Sequence, residues 1–189
     1  MRWRRLLITM AVLLPLIGIL AYGFSRDPRY ITSPLIGRTA PPFTVTLFEG
    51  QKLSLNDMRG KAIFVNFWAS WCPPCRAEAR DLEAVWQQLR DQQDIVFLGI
   101  DIQDTDEAAR AYLKEFNVSY PNGRDLAGKA AVEYGVWGIP ESFFIDPQGR
   151  ITYKHVGSLG AGLVLAKLDE ARRSVVSARE GKGSYQSVR

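Results

Sequence analysis

The sequence of 189 residues is poor in metal-binding side chains, with only two cysteines and one histidine. A closed zinc site usually takes four Cys or His ligands, so the chain has too few for one. The two cysteines, Cys72 and Cys75, are separated by two residues. A disulfide that closes so small a ring restrains the unfolded chain by only about 2 kcal/mol. The scarcity favours redox chemistry over three other hypotheses, namely a structural disulfide, half of a metal site, or two inert buried thiols.

The chain also lacks net charge outside its first 29 residues. Five arginines and one aspartate lie in that segment, which leaves 19 of the 24 basic and 19 of the 20 acidic side chains to the rest. The overall net charge of +4 therefore does not indicate a basic surface on the body of the protein. No glycine-rich phosphate loop is present either, and the sequence predicts no nucleic-acid binding.

One long apolar run, Leu6 to Phe24, has nineteen residues and no charge. It is long enough to span a bilayer, and three arginines precede it, which places the N-terminus in the cytoplasm. The alternative is a signal peptide cleaved after Ala21-Tyr22-Gly23, but the run exceeds the ~7–15 residues of a signal core. We therefore predict a single-pass anchor in the bacterial cytoplasmic membrane, with the catalytic domain on the periplasmic or extracellular side.

This organisation divides the chain into five segments. A cytoplasmic stub comes first, then the anchor, a linker rich in Pro, Arg, Ser and Thr, one domain, and a polar tail that we expect to be flexible. The predicted boundaries are 1–5, 6–24, 25–42, 43–176 and 177–189.

The cysteines stand where a predicted buried strand, Ala62–Trp68, turns into a predicted helix, Arg76–Arg90. Free N–H groups and the positive end of the helix dipole stabilise an anion there, and the thiolate is the reactive form of cysteine. Pro73 and Pro74 restrict the backbone at the helix start. The pattern predicts a stiff, partly exposed dithiol.

Strands and helices alternate along the remainder and end in a hairpin and a helix. This order predicts an α/β fold with a mixed sheet and helices on both faces. We expect a loop at Val118–Asp125. The other predicted strands are Phe43–Phe48, Lys52–Ser54, Ile95–Ile100, Ser142–Ile145 and Arg150–Val156, and the other helices are Asp106–Phe116, Lys129–Tyr134 and one that ends near Val176.

Two motifs resemble the thioredoxin superfamily over roughly residues 43–176: Phe67-Trp-Ala-Ser-Trp-Cys-Pro-Pro-Cys75 and Gly138-Ile-Pro140. Cys75-Arg-Ala-Glu78, the segment Tyr134 to Asp146 and the N-terminal anchor narrow the resemblance to the DsbE/CcmG, ResA and TlpA-like group. It implies a thioredoxin fold with an N-terminal β extension. It also implies a thiol-disulfide reductase of the kind that serves cytochrome c biogenesis.

The resemblance implies roles for individual residues. Cys72 attacks a partner disulfide and Cys75 resolves the mixed disulfide, while Pro140 follows a cis peptide bond. Tyr134 and Trp137 flank this proline, where they form a docking surface or cover the core. The positions that border a bound substrate are Trp71, Pro73, Pro74, Ile139, Pro140 and Trp137.

Three polar positions bear on redox tuning. Asn66 stands where thioredoxin has a buried aspartate, so that general base is missing. Glu78 and Glu141 match acidic positions of the reductase group. The alternative for Glu78 is an acid that only stabilises the helix start, and the alternative for Glu141 is a solvated loop charge. A nearby negative charge raises the pKa of a thiol, which favours a reductant, whereas the helix dipole acts in the opposite direction.

The same resemblance indicates partners. No cofactor is required, but a membrane electron donor of the DsbD/CcdA type must re-reduce the pair. The expected client is the Cys-x-x-Cys-His haem site of apocytochrome c, or a maturation protein that holds it. The alternatives are a TlpA-like reductant for the copper site of cytochrome oxidase and a metallochaperone that carries Cu(I) on two thiolates; a peroxidase is disfavoured, because a lone cysteine would suffice for it.

Overall fold

The computed structural model describes residues 2–24 and 33–179. Residues 2–24 form a compact unit of their own, which contains helix α1, Arg2–Phe24, with Pro15 inside it. When only the described residues are considered, no helix is both long enough and apolar enough to cross a membrane. Met1, residues 25–32 of the predicted linker and residues 180–189 of the predicted tail lie outside the described residues.

The second unit contains one seven-stranded sheet, and it confirms the predicted thioredoxin-like architecture. The strand order is β2-β1-β5-β4-β3-β6-β7, with β3 parallel to β4, β4 parallel to β5, and the other pairs antiparallel. The N-terminal β1–β2 hairpin is the predicted extension. The strands are β1 Thr44–Leu47, β2 Lys52–Ser54, β3 Ala62–Trp68, β4 Ile95–Asp101, β5 Asn122–Arg124, β6 Glu141–Ile145 and β7 Ile151–Val156.

Strand β3 is an interior strand between β4 and β6, and all seven of its residues are buried. Its alternate side chains enter different clusters, Ile63 and Val65 on one face and Ala62 and Phe64 on the other. A strand covered on both faces reads as a continuous apolar run, which is why it was recognisable from the sequence.

Helices cover both faces, as predicted. The described helices of this unit are α2 Pro73–Leu89, α3 Asp106–Glu115, α4 Lys129–Glu133 and α5 Ala161–Arg179, and a 3-10 helix spans Leu55–Met58. Leu82 and Val85 of α2 pack with Val164 and Leu168 of α5 over the Phe64 face. Ala130 of α4 packs on the opposite face. The start of α2 thus meets the carboxyl end of β3.

The predicted loop at Val118–Asp125 is wrong in its second half, because residues 122–124 form β5. This strand pairs with both β4 and β1. Gly123 permits the close approach, since a Cβ there would lie 2.8 Å from Cγ2 of Val45. The three residues Asn-Gly-Arg, preceded by Pro121, carry no strand periodicity, so the pairing is set by distant partners.

Residues 33–42 do not form a linker. Gly37 N–H donates to the Ile151 carbonyl (2.7 Å) and Ala40 N–H donates to the Gly149 carbonyl (2.8 Å), while Ala40 is buried. Apolar Leu35 also packs on the core. At the other end, residues 177–179 belong to α5 and not to a tail.

Candidate active site

The redox pair lies at the first turn of α2, where the sequence places it. Cys72 is the N-cap residue and is joined to Cys75 by a disulfide. Its Sγ accepts a hydrogen bond from Cys75 N–H (3.2 Å). Pro73 and Pro74 occupy the first helical positions, where the missing N–H groups cost nothing. The same N–H can stabilise a thiolate on Cys72 after reduction.

The second motif lies directly against the first cysteine. The Ile139–Pro140 peptide bond is cis, as the resemblance implies. Cys72 Sγ is 3.4 Å from the Ile139 carbonyl oxygen. A disulfide sulfur carries no hydrogen, so this is a contact in the oxidised protein and becomes a possible hydrogen bond only for the thiol.

The predicted partial exposure of the pair is wrong for this oxidised state. Cys72 is 2% exposed and Cys75 is fully buried. The reason is that the cis-proline loop covers Cys72, whereas Cys75 faces the interior beside Trp68 and Ala79. Access to Cys72 is therefore limited by the residues that form the rim of the site.

That rim contains exposed residues at several of the predicted positions. Trp71 is 57% exposed and Trp137 is 67% exposed, and both prolines of the motif are exposed. Trp71 is held by its indole N–H, which donates to the Gln103 carbonyl (3.1 Å). Tyr134, in contrast, is fully buried among aromatic rings, so it covers the core and is not a docking residue.

Glu78 lies one helical turn after Cys75 and is 2% exposed. Its Oε1 accepts from the Asn66 side-chain amide (2.9 Å), and its Oε2 accepts from Leu159 N–H (2.8 Å). The Asn66 amide also donates to Ser142 Oγ (3.0 Å). Asn66, which cannot titrate, therefore serves to hold the acid, and Glu78 is not a solvated helix-start residue.

Burial raises the pKa of Glu78 from 4.5 to about 7, because the ionised form loses its hydration. The two hydrogen bonds from Leu159 and Asn66 act in the opposite direction but offset burial only in part. No cation is among its partners in the described part of the chain. Near neutral pH, protonated and ionised Glu78 are both populated.

Glu141 has a different environment, although the sequence suggests the same role for it. It is fully buried and therefore not a solvated loop charge. Its Oε2 pairs with Lys154 Nζ (2.7 Å), and its Oε1 accepts from Trp137 and Gly138 N–H (3.1 and 3.2 Å). Lys154 compensates the charge, so Glu141 holds the cis-proline loop and disfavours a thiolate less than an unpaired carboxylate would.

Sequence reasoning missed several residues of the site. Ser142 accepts from the Asn66 side-chain amide and Lys154 pairs with Glu141. Tyr112 of α3 stacks on Trp68 and donates its hydroxyl to the Cys75 carbonyl (3.0 Å). Ser142 was discoverable in part, since it is polar in an apolar strand. The contacts of Lys154 and Tyr112 span long sequence distances and leave no local signal.

The two cysteines are the only predicted site residues that suit a soft metal once they are reduced. Within residues 2–24 and 33–179, no three His, Cys, Asp or Glu side chains are grouped as metal ligands.

The buried acid predicts a pH dependence of stability. Below about pH 4.5, Glu78 is protonated in both the folded and unfolded states and contributes no difference. Between about pH 4.5 and 7 the unfolded chain loses this proton first, so the fold becomes less stable, by on the order of 3 kcal/mol at most. Glu78→Gln should remove this loss, which denaturant unfolding of the oxidised protein at a series of pH values measures.

The Gln side chain also changes the free energy of unfolding by an amount that does not depend on pH. The cause is that its NH₂ group faces the N–H donor of Asn66 or Leu159, unless the Asn66 amide flips. The slope of the difference with pH is therefore the informative quantity. Glu49→Gln, in the exposed turn between β1 and β2, is the matched control and should leave the slope unchanged. If the free energy of unfolding depends on pH in the same way for the parent protein and Glu78→Gln, Glu78 is not a buried acid with a raised pKa.

Comparisons with known proteins agree with this geometry. The sequence model of the AhpC/TSA family matches residues 36–154. The thiol-disulfide oxidoreductase ResA of Bacillus thuringiensis subsp. konkukian is 34% identical over 154 residues, which cover 80% of this chain and 87% of that protein. The thiol:disulfide interchange protein DsbE of Allochromatium vinosum is 35% identical over 161 residues, covering 84% and 87%.

A solved structure gives the same result. The thiol:disulfide interchange protein of the thioredoxin family from Chlorobium tepidum superposes with a TM-score of 0.64 at 30% identity, over 70% of this chain and 94% of that one. With the Cys72–Cys75 pair at a helix start beside a cis proline, these similarities show that the chain belongs to the AhpC/TSA family and, within it, to the thiol-disulfide oxidoreductases of the ResA and DsbE type.

Proposed function

We propose that this oxidoreductase works as a reductant outside the cytoplasm. Its proposed client is the disulfide of an apocytochrome c haem site, Cys-x-x-Cys-His, or a maturation protein that holds it. The observation that carries the direction of the reaction is the buried carboxyl of Glu78, which lies on the same face of α2 as Cys75 and has no cationic partner among the described residues. An ionised Glu78 opposes a thiolate, and destabilising the thiolate makes the reduced pair a better donor of electrons.

The reaction proceeds by two thiol-disulfide exchanges. The Cys72 thiolate attacks one client sulfur, an S–S bond forms between them, and the other client sulfur leaves as a thiolate. The Cys75 thiolate then attacks Cys72 Sγ, which releases the second client sulfur and closes the Cys72–Cys75 disulfide. The client gains two electrons and two protons, and the pair loses them.

The local geometry assists both steps. Cys75 N–H points at Cys72 Sγ and stabilises the attacking thiolate. Glu78 is a suitable proton acceptor for Cys75, because its pKa of about 7 leaves a fraction ionised at neutral pH. The acceptor must be regenerated once per cycle, and a group with this pKa can exchange its proton with solvent during re-reduction.

The client surface is built from the exposed rim. Trp71 and Trp137 offer large apolar faces close in sequence to Cys72 and Pro140, and aromatic residues of this kind are enriched where proteins bind other chains. Glu141 and Lys154 fix the turn that carries Trp137. The rim is mainly apolar, so it suits an apolar stretch of a client chain beside the client disulfide.

The pair must be re-reduced after each turnover, because each turnover leaves the Cys72–Cys75 disulfide. A membrane donor of the DsbD/CcdA type fits this need, because an oxidising compartment supplies no reductant of its own. We propose such a donor as the second partner.

The proposed client is tested by trapping. In reduced Cys75→Ser protein the resolving thiol is missing, so Cys72 should accumulate a mixed disulfide with an oxidised peptide that carries a Cys-x-x-Cys-His site. Cys72→Ser should accumulate none. Non-reducing gel electrophoresis with mass spectrometry measures both.

A peptide with the histidine replaced by alanine is the control for recognition of a haem site. Faster trapping of the histidine peptide supports the proposed client. Equal trapping by both serine variants would contradict the assigned roles of the cysteines, and equal rates for the two peptides would contradict a haem-site preference.

We also propose that residues 6–24 anchor the protein in the cytoplasmic membrane with the redox domain outside. This proposal is supported by the run of nineteen uncharged residues that follows three arginines in the sequence. Protease added to spheroplasts should digest the domain and leave the N-terminal segment in the membrane. A soluble form that begins near Phe24 would show cleavage of a signal peptide instead, and a domain that resists protease until the cells are lysed would contradict the orientation.

A further inference from the structure

The segment just before the first cysteine is bonded to Gln103 and Asp104, which precede α3. Ser70 N–H donates to Asp104 Oδ2 (2.6 Å), and the Trp71 indole donates to the neighbouring Gln103 carbonyl. On its other side, the Ser70 carbonyl accepts from Arg76 (3.4 Å). Both backbone polar groups of Ser70 are therefore held, two positions before Cys72.

Arg124 of β5 joins this contact to the sheet. Its Nη2 donates to the Asp104 carbonyl oxygen (2.6 Å), and its Nε donates to Asp101 Oδ2 (3.3 Å). The side chain of Arg124 is only 19% exposed and that of Asp101 is 1% exposed. A largely but not fully buried arginine thus links the last residue of β4 to the residue that holds Ser70.

The other oxygen of Asp101 is unaccounted for. Asp101 Oδ1 is buried and has no hydrogen-bond partner within the described residues, which is costly for an ionised carboxylate. Burial and the like charge of Asp104 raise the pKa of Asp101 to about 7, against the effect of Arg124. The Asp104 carboxyl is within side-chain hydrogen-bond reach of Asp101, so a proton on Asp101 would let it donate to Asp104.

The other charged side chains near Asp101 and Asp104 have ion-pair partners of their own. Asp106, at the start of α3, lies 3.7 Å from Arg124 Nη1 but pairs more closely with Arg110 (2.7 Å). Arg76 pairs with Glu115 of α3 and lies on the far side of Ser70. The charged groups that face Asp101 directly are therefore Asp104 and Arg124.

We propose that Asp101, Asp104 and Arg124 are positioning residues for the segment Ser70–Cys72, and that one proton shared by the two carboxyls closes the contact. With the proton in place, Asp104 remains the acceptor for Ser70 and the segment is fixed. When the proton leaves, two carboxylates face one guanidinium, and their repulsion loosens the hold on Ser70. The segment Ser70–Cys72 then responds to pH through Asp101, which lies outside the redox site.

The test follows the Ser70 backbone amide and the Trp71 indole by ¹H–¹⁵N NMR, from about pH 5 to about pH 9, in the full-length oxidised protein in detergent. Neither cysteine titrates in this state. Both signals should titrate with a midpoint near pH 7. In Asp101→Asn, whose amide donates permanently to Asp104, both signals should stay at their low-pH positions across the range.

Glu78→Gln is the control for the second group that titrates near neutral pH, and it should leave the Ser70 titration intact. Arg124→Met should raise the midpoint, because the cation that favours ionised Asp101 is gone. A Ser70 signal that does not titrate, or that titrates equally in Asp101→Asn, would overturn the proposal. So would a titration abolished by Glu78→Gln.

A kinetic measurement tests the positioning role and needs no knowledge of the client. The reduced protein reacts with cystamine, a small disulfide, at a rate set by Cys72. Arg124→Met should lower this rate about fivefold at neutral pH, because the hydrogen bond from Arg124 to the Asp104 carbonyl is lost. A fivefold change is the size of one ordinary intramolecular hydrogen bond. Arg124→Lys should restore most of the rate. Arg172→Met, which removes an exposed arginine of α5, should have no effect. Equal rates for Arg124→Met and the parent would contradict positioning.

Discussion

The site depends on a carboxyl group that is buried one helical turn from the redox pair and has no cationic partner in the part of the chain that the structure describes. Glu78 is accommodated because Asn66 and the Leu159 amide satisfy its oxygens, yet neither supplies charge. Burial therefore raises the pKa of Glu78 to about 7 and leaves it able to gain or lose a proton near neutral pH. The arrangement costs stability at neutral pH, which is the usual exchange at a functional site.

The contrast with Glu141 shows how position decides the role of an acid. Both carboxyls are buried next to active-site motifs, but Lys154 compensates only Glu141. Glu141 consequently fixes the loop of the cis proline, whereas Glu78 is available for proton transfer. Asn66 also gains a definite role, since it replaces a titrating group with a neutral donor that orients the acid.

Much of this architecture could be predicted from local sequence. The central strand Ala62–Trp68 and the helix after it were recognisable because each buries a regular apolar pattern. The strand Asn122–Arg124 was not, because three residues pair through backbone groups with strands distant in the chain. The same limit applies to the buried state of Cys72, to the packing of residues 33–42, and to the pairing of Glu141 with Lys154, which all arise from long-range contacts.

The most direct measurement is the reduction potential of the Cys72–Cys75 pair in Glu78→Gln, with Glu141→Gln beside it, determined by equilibration with glutathione. Removing the Glu78 charge should lower the thiol pKa and raise the potential, by roughly 30 mV for each pKa unit. Glu141→Gln should shift it less, because Lys154 already compensates that charge. An unchanged or lower potential in Glu78→Gln would contradict the claim that this acid tunes the pair toward reduction.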